Sequence, residues 1–119
     1  MDNDTHLNYS IMETKFSQKA QFHLADALNY EKGKVMFETI MSSHNGSVDI
    51  VALDRESHLE SHPAPEDVLV YILEGKADFH IGEDVERLSQ GDSMLLAKGT
   101  LHSVKPLRDT KVMLVKIRP

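Results

Sequence analysis

From Gly33 onward the chain alternates apolar and polar residues with a period of two, and turn chemistry interrupts it at nearly every junction. A β-strand sends successive side chains to opposite faces, so this pattern demands sheets with one buried face. Val35, Phe37, Thr39 and Met41 fall on one side of the first segment, with Met36, Glu38 and Ile40 on the other. Asn45-Gly46 then predicts a type I′ hairpin turn, whose two central residues both need positive φ. Val48–Leu53 returns as a β-branched strand, and His58–His62 is a polar alternating stretch stopped by Pro63-Ala64-Pro65. Val68–Leu73 is almost wholly apolar and reads as a central strand covered on both faces. Ala77, Phe79 and Ile81 share one face of the next strand, which leaves Asp78 and His80 pointing outward. Val85–Leu88, Met94–Ala97, Leu101–Lys105 and Val112–Ile117 complete the set. Short strands joined by tight turns predict an all-β antiparallel sandwich or barrel.

A length of 119 residues favours one domain, expected over residues 22–119 with an N-terminal arm over 1–21. Around Phe16–Leu28 the residues leave two readings open: a short amphipathic helix, or a tail followed by a strand at Phe22–Leu24. Thirteen Lys and Arg against 19 Asp and Glu give a formal charge of −6, which argues against nucleic acid or an anionic membrane as partner. Cysteine is absent, so disulfides, thiolate metal sites and a Cys nucleophile are excluded. The polar, acidic start Met1–His6 has no apolar run of the signal-peptide kind, and no stretch approaches a membrane span. A cytoplasmic location is expected. No glycine-rich phosphate loop and no G-x-S-x-G elbow is present.

The segment from His62 to Gly75, HPAPEDVLVYILEG, resembles the first motif of the cupin superfamily, G(X)5HXH(X)3-4E(X)6G. The segment from Gly91 to His102, GDSMLLAKGTLH, resembles the second, G(X)5PXG(X)2H(X)3N. Strand order and turn placement are also similar to those of small single-domain cupins of the cupin-2 type. The resemblance implies a jelly-roll double-stranded β-barrel whose inward side chains line one pocket, in a homodimer. It also implies one divalent metal (Mn, Fe, Ni, Cu or Zn) held by three imidazoles and a carboxylate, a set suited to such ions.

This chain departs from that set. Counting back from Gly75 puts Val68 where the family has its glutamate, Ala64 at the second histidine and His62 at the first; Glu56 stands at the opening glycine. In the second motif Ala97 replaces the proline and Pro106 the asparagine. Of four expected ligands, His62 and His102 remain. His58, Glu60 and His62 alternate at i, i+2, i+4, so a regular strand would place them on one face as a substitute set with His102. Against this stands a solvated strand rim at His58 and Glu60. His80 belongs outside, His44 beside its turn in solvent, and Glu66-Asp67 on a loop near the pocket mouth. The expected pocket is lined by His62, His102, Val68, Val70, Ile72, Phe79, Met94 and Leu96, an apolar interior fit for a small ligand. Two functions follow. One is a small-molecule-binding cupin; the other is a metal-dependent enzyme of the dioxygenase, isomerase or decarboxylase type, using His62 and His102 with borrowed ligands.

Overall fold

Nine strands carry the alternation described above in a computed structural model that describes residues 12–118. They are β1 (Val35–Ser43), β2 (Gly46–Leu53), β3 (Leu59–Pro63), β4 (Asp67–Glu74), β5 (Lys76–Ile81), β6 (Asp84–Ser89), β7 (Ser93–Leu96), β8 (Leu101–Pro106) and β9 (Thr110–Ile117). They form a five-stranded sheet in the order β1-β2-β9-β4-β7 and a four-stranded sheet in the order β3-β8-β5-β6. Every strand pair is antiparallel. Connections carry the chain back and forth between the two sheets, which is the jelly-roll arrangement.

The core lies between the sheets and comes from alternate residues of facing strands. Val68, Val70 and Ile72 of β4 and Val51 and Leu53 of β2 pack with Ala77 and Phe79 of β5, Leu96 of β7 and Val104 of β8. β4 is covered less evenly than its composition predicts. Val68, Val70 and Ile72 are buried, whereas Leu69, Tyr71 and Leu73 are only half-buried, because β4 lies next to the edge strand and one face of its sheet looks outward. His80 is exposed on β5, on the face opposite Phe79.

Neither reading of Phe16–Leu28 holds. The segment contains a single 3-10 turn at Leu24–Ala27, with Phe16 and Phe22 stacked at 4.8 Å ahead of it. The described part of the arm is fastened to the free edge of β1. Glu13 makes a two-way main-chain bridge with Ser42, the Thr14 hydroxyl donates to the Ile40 carbonyl, and Lys15 meets Glu38 at 2.8 Å. Residues 1–11 of the expected arm lie outside the described residues. The β1–β2 hairpin also differs from expectation. Its two-residue loop is His44-Asn45, closed by the Ser43–Gly46 pair, and neither loop residue has positive φ, so the turn is not type I′.

Candidate functional site

β3 and β8 pair so that His62 and His102 are direct cross-strand partners. Their ring centroids lie 4.4 Å apart with planes inclined at 53°. Each ring is held by the same device. Nδ1 lies 3.0 Å from the main-chain carbonyl two residues upstream, Glu60 for His62 and Thr100 for His102. A carbonyl only accepts, so each Nδ1 carries a proton and donates it, and in the neutral ring Nε2 keeps its lone pair. Burial pushes His102 below the usual imidazole range; the Thr100 carbonyl opposes that shift and the neighbouring His62 adds to it.

Both rings line a cavity of about 140 Å³ between the two sheets. A void of ~150 Å³ accommodates benzene, so this one has room for a single six-membered ring. Val68 and Val70 of β4, Phe79 of β5 and Leu96 of β7 form much of its apolar wall. Of the expected pocket residues, Ile72 and Met94 do not reach it. Ile72 is fully buried in the packed core one step of two beyond Val70, and Met94, the cross-strand neighbour of Val70, packs against that core.

The substitute ligand set does not assemble. Leu59 pairs with Val104 and His62 with His102, so three steps along β3 oppose two along β8. That extra residue is a β-bulge, and it reverses the alternation. Leu59 and His62 both face the cavity, while Glu60 is exposed and His58 lies in solvent just ahead of β3. His58 Nε2 and Glu60 Oε1 meet each other at 3.9 Å on the surface. Among the described residues, no group of three or more His, Asp or Glu side chains converges on one point.

Ala64 and Val68, standing where the first motif has its second histidine and its glutamate, both line the cavity and offer no donor atom. Two imidazole nitrogens alone do not fit the four-ligand centre that the motifs imply. Glu66 is elsewhere, paired with Arg118. The Asp67 carboxylate opens β4 and accepts from the Lys98 amide.

One polar wall residue was not anticipated. Lys116 lines the cavity, and its Nζ lies 2.9 Å from Asp49 Oδ2. Ser47 Oγ also donates to that oxygen at 3.3 Å. Asp49 is only 8 % exposed, and its Oδ1 has no hydrogen-bond partner among the described residues. Alternation carries the signal: Val112, Leu114 and Lys116 occupy one face of β9, just as Asp49 and Val51 share one of β2.

Residues 49–117, which run from within β2 to β9 and contain both histidines and every cavity-lining residue except Phe37, match the family model of the cupin domain. The chain belongs to the cupin family. Its fold is shared with a Streptococcus pyogenes protein of unknown function, at 20% identity and a TM-score of 0.79 over 87% of this chain and 91% of that one. A cupin superfamily protein from Desulfitobacterium hafniense is similar at 14% identity and a TM-score of 0.79, covering 87% and 94%. An RmlC-like cupin from Desulfovibrio desulfuricans follows at 20% identity and 0.73, covering 82% and 95%. No curated protein matches this cupin. These likenesses establish the barrel; its chemistry rests on the residues inside.

Proposed function

We propose that this cupin binds a small, largely apolar molecule in its barrel, at a site that works without the family's four-ligand metal centre. The observation that carries this reading is the cavity itself: a ring-sized apolar space with two adjacent imidazoles in its wall and no donor atom at Ala64 or Val68. A few placed polar groups in an apolar pocket are the usual composition of a small-molecule site. The donor set favours this over a metal-dependent dioxygenase, isomerase or decarboxylase.

The test is a thermal-shift screen of sugars, carboxylates and small aromatic compounds, run beside elemental analysis of untagged protein. A true ligand stabilises the fold by mass action, by about 2.7 kcal/mol at a hundredfold excess over Kd. That stabilisation is expected to shrink in His62→Ala. A full screen without a hit, together with near one divalent metal per chain, overturns the reading.

We also propose a cytoplasmic homodimer. Its supporting feature is an apolar patch on the outer face of the larger sheet, where Leu69 is the cross-strand neighbour of both Leu95 and Val115 and Ile117 lies beyond. Leu95 is 77% and Ile117 60% exposed in the single chain. Among the described residues no helix is long and apolar enough to cross a membrane.

A further inference from the structure

Resting on the small-molecule reading of this cavity, we propose that the His62–His102 pair is a receptor for one hydrogen-bond donor, and that the ligand is an uncharged ring-sized molecule bearing a hydroxyl or N–H group. Three observations carry this. First, the two Nδ1 protons are committed to the Glu60 and Thr100 carbonyls at 3.0 Å. Among the described residues these are the only hydrogen bonds the rings make, so what they offer to a ligand is two Nε2 acceptors on adjacent side chains. An apolar wall surrounds them, and an acceptor in such surroundings is stabilised by gaining a donor.

Second, among the described residues the cavity wall carries no uncompensated charge: Lys116 is the one charged residue there, and Asp49 pairs with it at 2.9 Å. An anionic ligand would find the Lys116 ammonium already paired with Asp49. It would give up its hydration and gain no free cation. A neutral molecule meets neither cost.

Third, the volume of about 140 Å³ suits one ring with a small substituent. The pair therefore sorts ring-sized molecules by whether they present a donor. A site built to hydrogen-bond a hydroxyl discriminates against the analogue that lacks it far more strongly than an apolar pocket discriminates by size.

The experiment uses the full chain and three matched probes, phenol, toluene and benzoate, with affinities measured by calorimetry or ligand-observed NMR. Phenol and toluene have nearly the same shape and differ in the donor. Phenol is expected to bind at least about tenfold more tightly than toluene and than benzoate, and the phenol-to-toluene ratio to fall toward one in His62→Leu/His102→Leu. Equal binding of phenol and toluene overturns the donor receptor while leaving the pocket a small-molecule site. Tightest binding of benzoate overturns it in favour of an anion site. No binding of any probe at millimolar concentration overturns the donor receptor, and leaves the pocket reading to the wider screen. Should the double variant fail to fold, the wild-type ratio of phenol to toluene decides.

Discussion

Gly46 stands where a hairpin glycine was expected but serves a different need. A Cβ at this position would lie 2.0 Å from the Lys116 carbonyl oxygen of β9, so the residue is small because a neighbouring strand passes close by. Gly82 has a φ of +62°, and a methyl group there would meet nothing within 4 Å, so only the backbone conformation matters. Gly46→Ala is expected to cost about 3 kcal/mol, as overpacking against backbone does, and Gly82→Ala about 1–2 kcal/mol, the left-handed penalty. Urea unfolding of both variants checks the order, and equal losses would contradict it. His102 supplies a pH prediction. Its folded-state value lies below the ordinary imidazole value, so the unfolded chain takes up the proton first as pH falls. Its contribution is fully present above about pH 6.5 and is lost as pH drops through the folded value. Stability should therefore begin to decline as pH falls through about 6.5, with a shallower decline in His102→Leu; identical slopes would sink the assignment. His62, His102 and the apolar residues Val68, Val70, Phe79 and Leu96 were expected at the pocket from the resemblance to the cupin motifs, in which strand alternation turns side chains inward, and all six line the cavity. Lys116 obeyed the same alternation, yet a lysine near a strand end reads as solvated until a buried partner is seen beside it.

At the scale of elements, strand identity follows from local pattern and phase does not. The stretch His58–His62 alternates without a break in sequence, yet the bulge in β3 turns Glu60 away and brings Leu59 and His62 to the same side. Nothing in the residues themselves marks the bulge. It arises because β3 must match β8 and also deliver Ala64 to the core, where its amide bonds to the Thr100 carbonyl. The segment before β1 shows the same dependence on tertiary partners. Its 3-10 turn is held by buried Lys111 of β9, which donates to the Ala25 carbonyl and sits 4.8 Å over the Tyr30 ring. The Tyr30 hydroxyl donates to Glu74 at 2.8 Å; burial, then that hydrogen bond and the Glu74 charge, push the phenol far above its ordinary range. Lys111→Met keeps most of the packing and removes both cationic contacts, at a cost of about 1–3 kcal/mol. Faster hydrogen exchange at the Asp26 amide, which bonds to the His23 carbonyl, is the expected local sign. Unchanged protection there would show that the turn stands on its own.

For the whole molecule, the proposed dimer makes a direct prediction. Leu95→Glu puts a charge in the middle of the outer apolar patch and away from the cavity lining, so it should shift light-scattering mass to that of one chain without loss of fold. A wild-type protein that is already monomeric at micromolar concentration removes the proposal. An all-β antiparallel sandwich or barrel was readable from residues alone, because period-two alternation and turn chemistry are local properties that survive without coordinates, and the resemblance of two segments to cupin motifs implied which barrel it is. The N-terminal turn, the bulge, the Asp49–Lys116 pair and the shape of the cavity belong to the tertiary structure. Each depends on which distant strand lies opposite, and strand pairing sets both register and burial only after the chain has closed on itself.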